Sequence, residues 1–413
     1  MSRASGRAVW VAGLLAASLA PVWSAPAHAD HDASCSVGEV PGSERLADTH
    51  TEDNPACDRM HVEQAQGLAT GRGVKVAVID SGVMPLPGLR REGLFVAPGA
   101  APDMLLSGHG TIVAGLIAGP HGVAPDATVY DVKVYDSETA DPAQGQKALT
   151  SAGIVAGIDA VVAAYPRERF DVVNISLPVD TSDPSLEAAV ARLVALDVVV
   201  VAASGNREEA GESDDVFFEG TPGSDADVYP ADYPGVLAVS ATPPGDEDPA
   251  TYVLPNLDTD VAAPTAGAIS VNATGQVCNV AEVATSWSAA EVSGIVALLR
   301  QQFPRDTPQQ LVARLQATTE GGIAPQDDTA AANPWTGAGV VQAYDALTRQ
   351  VRAGRQGEVE QTEAETRLDA QAPPAPAVVD LFSTPRAILL WVGLVAGALL
   401  ALAFMLRPLI RRR

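Results

Sequence analysis

Val74-Lys75-Val76-Ala77-Val78-Ile79-Asp80-Ser81-Gly82 places four β-branched residues in its first six positions, then stops at a carboxylate and a turn. An apolar run of this kind, without strict alternation, predicts a strand buried on both faces. Similar short runs recur at 129–134, 172–176, 198–203 and 236–241, separated by segments of helical pattern. The expected class is therefore α/β: a mainly parallel sheet flanked by helices, in one domain over residues 61–350. In such sheets the working groups gather at the carboxyl ends of the strands. Asp80 and the turn Ser204-Gly205-Asn206 fall at such ends.

Outward from this domain the chain changes character. Arg3 and Arg7 precede or interrupt a short apolar stretch, and Ala27-His28-Ala29 supplies a small-x-small cleavage pattern, so residues 1–29 read as a secretory signal. Residues 30–60 form an N-terminal arm, expected to wrap on the following domain. Residues 351–385 read as a stalk, mixed in charge and then proline-containing at Pro373-Pro374-Ala375-Pro376. Residues 387–406 hold no charged side chain, and a helix of that length spans about 30 Å, the thickness of a bilayer core. Arg407, Arg411, Arg412 and Arg413 follow it. Residues 386–413 are thus expected to be one transmembrane helix with a basic cytoplasmic tail, the bulk of the chain lying outside the cell membrane.

The chain carries 51 Asp+Glu against 26 Lys+Arg, a net charge of −25, which excludes nucleic acid as a partner because that needs basic surface. Cys35, Cys57 and Cys278 lie beyond the signal. Outside the cytoplasm they would form one disulfide and leave one thiol, with three pairings open. Cys35–Cys57 is the most local pairing, and a bridge from either to Cys278 would clamp the arm onto the body. No CxxC-type spacing points to a metal.

Three residues carry candidate chemistry. His109 lies in Gly108-His109-Gly110-Thr111, where the glycines permit close backbone approach. Asp80, at the end of a buried strand, is costly unless paired, and a histidine Nδ1–H would suit it; the plainer reading is a cap on the following turn. Ser286, in Ala284-Thr285-Ser286-Trp287-Ser288-Ala289-Ala290, opens a helical pattern whose N-terminal N–H groups could hold an oxyanion; alone it reads as an N-cap.

Together, in the order Asp, His, Ser, these motifs resemble the subtilase family of serine proteases. Ala202-Ala203-Ser204-Gly205-Asn206 is similar to the strand end that carries the family's oxyanion-hole asparagine. Asn174-Ile175-Ser176-Leu177 is similar to its cleft strand. Tyr229-Pro230-Ala231, Asp260-Val261-Ala262-Ala263-Pro264 and Gly337-Ala338-Gly339-Val340-Val341 are also subtilase-like. The resemblance implies a subtilisin-like fold and catalysis by Asp80, His109 and Ser286. It assigns Asn206 to the oxyanion hole and Ser176, Leu177, Pro178, Ala203, Ser204 and Gly205 to substrate binding, with no metal or organic cofactor. Within the family the signal, the cysteine-bearing arm, Gly71-Arg72-Gly73-Val74, the stalk and the terminal span are similar to the mycosins of actinobacterial type VII secretion. That implies a membrane-anchored extracytoplasmic endopeptidase cleaving selected protein substrates beside a type VII secretion membrane complex. The alternative is a subtilase-fold scaffold that stabilises such a complex, with vestigial proteolysis.

The sequence departs from the family at several points. Ala284 stands where the family has glycine, Ser288 replaces alanine, Ala290 replaces proline, Pro178 replaces glycine and Thr265 replaces glycine. If position 284 needs positive φ, alanine would strain the loop by about 1–2 kcal/mol. An acidic insert at 207–227 is expected to border the cleft, either disfavouring acidic substrates or lying as a solvated loop.

Overall fold

The computed structural model describes residues 35, 53–102, 105–137, 140–207, 225–320, 333–359 and 383–410. The signal, most of the arm, nearly all of the acidic insert, the proline segment of the stalk and the last three arginines lie outside these residues. The chain divides into two compact units, Met1–Val359 and Glu360–Arg413.

In the first unit seven strands form one parallel sheet in the order β2-β3-β1-β4-β5-β6-β7. They are β1 (Lys75–Asp80), β2 (Arg90–Val96), β3 (Thr128–Lys133), β4 (Val172–Ile175), β5 (Val199–Ala203), β6 (Val236–Thr242) and β7 (Val261–Pro264). Each of the five apolar runs became a strand within two residues at either end. The reason for their unbroken apolarity is visible in β1. Val76 and Val78 join one buried cluster with α3 (His109–Ile117) and α6 (Thr285–Gln302). Ala77 and Ile79 join another with α4 (Ser151–Glu168) and α5 (Pro184–Val194). Both faces are covered, so the period of two carries no polar half. Two sheet strands fall outside those runs, β7, which lies in the family-like motif 260–264, and β2. β2 is an edge strand of sequence Arg-Arg-Glu-Gly-Leu-Phe-Val with mostly exposed side chains; only Leu94 and Phe95 pack, half-buried, against the core, too few to make an apolar run.

The chain leaves β1 toward β3 and β2 on one side and later builds β4 through β7 on the other. Asp80 therefore ends the strand at which the order switches, where such sheets open a crevice. A short antiparallel pair, β8 (Ile269–Val271) with β9 (Val277–Asn279), precedes α6 and carries Cys278. Cys278 is disulfide-bonded to Cys35 and Cys57 is the free thiol, which settles the pairing left open above. α2 (Val62–Gln66) opens the domain, and α1 (Pro55–Arg59) lies in the described part of the arm. It packs on the domain through Met60, fully buried, whose carbonyl accepts from the N–H of Ala343 at the start of α8 (Ala343–Thr348). Gln66 Nε2 donates to the carbonyls of Gly122 and Val123. Between α6 and α8 lies α7 (Pro308–Gln316), opened by a capping box of Thr307 and Gln310.

The second unit holds α9 (Ser383–Ile410), 28 residues long. Among the described residues no helix is long and apolar enough to cross a membrane, the side chains described in α9 forming a stretch only from 389 to 405.

Candidate active site

Three elements converge at the carboxyl edge of the sheet. Asp80 is fully buried at the end of β1, and its Oδ1 and Oδ2 lie 2.9 and 3.0 Å from His109 Nδ1. Oδ1 also accepts from the Ser81 N–H at 2.7 Å. His109 opens α3, and the approach is close because Gly110 follows it. A Cβ at 110 would stand 2.6 Å from the Gly82 carbonyl oxygen and 2.9 Å from Asp80 Oδ1. The first turn of α3 is tied down: His109 N–H donates to Ser107 Oγ and Gly110 N–H to Ser81 Oγ. The N–H groups of Thr111 and Ile112 both donate to the Gly108 carbonyl.

Behind Asp80, on β3, lies Asp131, paired with Arg91 at 2.5 Å. Burial pushes the Asp131 carboxyl up, against the pull of Arg91 and of the Val83 N–H, which belongs to the loop just after Asp80. Lys133, the register partner of Asp80, is buried with Asp136 at 2.8 Å and donates to the Ala101 carbonyl. Burial works to raise the Asp136 carboxyl. The hydrogen bonds from Lys133 and from the N–H groups of Lys147 and Ala101 outweigh it and hold the group below its usual value.

Ser286 is the second residue of α6, only 6% exposed. Ala284 before the helix has φ −143° and ψ 139°, extended backbone open to any residue. The strain considered for alanine at this position is absent, because the chain enters α6 without positive φ. The nucleophile candidate is held from below by a buried relay. Ser293 Oγ donates to Asn174 Oδ1, Asn174 Nδ2 donates to Ser176 Oγ, and Ser176 Oγ donates to the Ser286 carbonyl at 2.8 Å. Ser288, where the family has alanine, donates to the Ala263 carbonyl at 2.9 Å.

Asn206 follows the turn after β5, where Gly205 has φ +105° and so accounts for the glycine. Asn206 Oδ1 accepts from the Thr285 N–H at 2.7 Å and from Thr285 Oγ1 at 3.0 Å. The backbone donor fixes which way the amide points, since a flipped amide would set N–H against N–H. Among the described residues, Asn206 Nδ2 and the Ser286 N–H are left without a partner. Two open donors at a helix start beside a hydroxyl can stabilise a developing oxyanion.

The six residues assigned to substrate binding divide. Ser176 gives its hydroxyl to the Ser286 carbonyl, and Ala203 is 1% exposed. Ser204 N–H donates to the Val239 carbonyl, Gly205 N–H to Thr285 Oγ1, and the Gly205 carbonyl accepts from Leu254. Leu177, by contrast, makes no backbone hydrogen bond among the described residues, and Pro178 is half-buried beside it. Trp287 is the residue that motif reading passed over: its ring packs on that of His109, centroids 4.8 Å apart at 32°. Its only sequence signal is a bulky aromatic in an otherwise small-residue stretch.

Comparison with known proteins follows this geometry. Residues 71–354 match the profile of the subtilase family. Mycosin-1 of Mycobacterium tuberculosis is 33% identical over 337 residues, spanning 71% of this chain and 72% of that protein. The crystal structure of MycP1 from Mycobacterium smegmatis is similar with a TM-score of 0.60 at 26% identity, covering 79% of this chain and 92% of the other. The structure of the MycP3 protease from the type VII (ESX-3) secretion system is similar with a TM-score of 0.56 at 28% identity, covering 77% and 93%.

Proposed function

The chain belongs to the subtilase family and is a serine-type endopeptidase related to the mycosins, and on that premise we propose that Asp80, His109 and Ser286 are its catalytic residues. The observation that carries this reading is the open start of α6. Among the described residues, a hydroxyl, an unpartnered Ser286 N–H and the unpartnered Nδ2 donor of Asn206 belong to that start, next in the chain to a residue that touches His109. Ser286 Oγ attacks the peptide carbonyl as its proton passes to the second nitrogen of His109. Asp80 accepts the Nδ1–H and stabilises the imidazolium. The carbonyl oxygen, now negative, takes hydrogen bonds from the Ser286 N–H and Asn206 Nδ2, each contributing about 3 kcal/mol. His109 returns the proton to the leaving amine, and water releases the acyl group by the reverse sequence. The peptide lies extended along Ser176-Leu177-Pro178, a placement supported by the open Leu177 backbone. A fluorophosphonate probe tests the reading: it labels the full-length chain, and labelling that persists in Ser286→Ala would overturn it.

The enzyme is further proposed to be exported and held in the cell membrane by residues 386–413, the catalytic domain outside and the tail cytoplasmic. The 28 residues of α9 are long enough, at about 1.5 Å per residue, to exceed a bilayer core. The described apolar side chains from Leu389 to Met405 are exposed. Its working partner is proposed to be a type VII secretion membrane complex, on the relationship to the MycP3 protease of such a system. Recovery of the intact chain in carbonate-washed membranes, with the catalytic domain open to external protease, is the expected outcome; recovery in the soluble fraction would remove the anchor. The scaffold reading predicts that Ser286→Ala still co-purifies with the complex and preserves secretion.

A further inference from the structure

We infer that Trp287 is a positioning residue for His109, its indole face holding the imidazole and favouring the protonated ring formed during acyl transfer; the inference rests on the catalytic reading above. The imidazole is gripped in two directions. At its edge Nδ1 meets both oxygens of Asp80. Against its face lies the Trp287 ring, 4.8 Å between centroids and tilted by 32°. That separation falls within the range of stacked aromatic pairs and of a cation over an indole face. A neutral imidazole gains only packing there, whereas an imidazolium also gains the attraction of the ring quadrupole for positive charge, strengthened by the burial of both rings.

Two further observations favour a role beyond filling space. Trp287 is 2% exposed, and its Nε1–H has no hydrogen-bond partner among the described residues. A buried indole donor left unpaired is a cost that leucine or methionine of similar reach would not carry. The main chain that carries the ring is also fixed, because the Trp287 N–H donates to the Ala284 carbonyl in the first turn of α6. Trp287 is the next residue after Ser286 in the same helical turn, so the stack links the imidazole to the backbone that carries the hydroxyl.

The ionisable groups around the imidazole bound the alternatives. β1 supplies Asp80, and β3 beyond it supplies Asp131, paired with Arg91, and Lys133, paired with Asp136. β8, also packed on α3, supplies none. α6 supplies Glu291, which lies more than a turn beyond Ser286. None of these is altered by a change at 287.

The test uses the full-length chain in detergent, with Trp287→Leu, Trp287→Met and Trp287→Phe. Carbethoxylation of His109 by diethyl pyrocarbonate is followed across pH by peptide mass mapping, a readout that needs no turnover. The midpoint is expected to fall by about half a pH unit or more in the leucine and methionine variants and by less in the phenylalanine variant. The acid limb of kcat/KM for an ester substrate should move in the same direction. An unchanged midpoint in a folded leucine or methionine variant overturns the inference; if leucine fails to fold, methionine carries the comparison. Absence of Ser286-dependent hydrolysis would instead remove the catalytic reading, while the carbethoxylation midpoint still reports on the stack.

Discussion

The two helices that open onto the site begin in opposite ways. Neither α3 nor α6 has a side-chain N-cap, and both are buried through their first turns. In α3 the early N–H groups are nonetheless all consumed, by Ser107, Ser81 and the Gly108 carbonyl. In α6 the Thr285 N–H is consumed by Asn206, and the Ser286 N–H is left open among the described residues. The difference follows from the task of each helix. A helix start that only has to hold a base gains from satisfying its donors, whereas one that must receive an anion has to keep a donor in reserve. The closed start is a mounting; the open one is a binding site.

Breaking the mounting should have the largest effect. Asp80→Asn keeps the shape of the carboxylate but offers His109 Nδ1 an amide, which favours the wrong tautomer. A loss of about 10⁴ in kcat is expected, with KM little altered. Measured hydrolysis within tenfold of the parent chain would mean that the bond between Asp80 and His109 is not part of the chemistry.

Closing the open start comes next. Asn206→Asp retains an acceptor for Thr285 and removes the Nδ2 donor. It should lower kcat by about 10²–10³, again with KM nearly constant. Asn206→Ala removes both, and should add a loss of stability from the orphaned Thr285 N–H. If the aspartate variant were fully active, the oxyanion would have to be held elsewhere.

The interior of α6 provides a third contrast. Ser288 and Ser293 are each tied to a partner, but Glu291 is fully buried with neither oxygen hydrogen-bonded among the described residues. Burial pushes its carboxyl well above the usual range. The folded chain therefore keeps the proton that the unfolded chain releases above its ordinary value near pH 4.5. Stability from this group is full below that pH and is lost progressively as pH rises toward the folded value. Glu291→Gln should leave stability at pH 4.5 almost unchanged and raise it by about 1–3 kcal/mol at pH 8. Denaturant melts at the two pH values check this, and equal effects at both would show that ionisation is not the cause.

The same contrast explains what the sequence made legible. β1 and α3 were readable because their chemistry is local: a β-branched run ending in Asp80, and a histidine between glycines. The other strands of the main sheet announced themselves through apolar runs or family motifs, whereas β2, at the edge, packs only Leu94 and Phe95 against the core, and the short pair β8 and β9 left no signal. Around α6 the determinants are long-range. Ser176 reaches the Ser286 carbonyl across 110 positions, Asn206 meets Thr285 across 79, and Cys35 meets Cys278 across 243. No local pattern encodes such pairs. The partnership of Trp287 with His109 was hidden for the same reason.

Ala284 gives the smallest and most discriminating test of the open start. The motif comparison suggests that glycine belongs there, and that alanine loosens the approach to Ser286. The backbone at φ −143° and ψ 139° says otherwise, because alanine adopts that conformation at no cost. Ala284→Gly would then relieve nothing and would only enlarge the freedom of the unfolded chain, costing about 0.4–1 kcal/mol. Activity should stay within twofold of the parent, with a slightly lower melting temperature. A clear gain in kcat would instead mean that the working enzyme passes through a positive-φ state at residue 284, and that alanine holds the serine in a resting form.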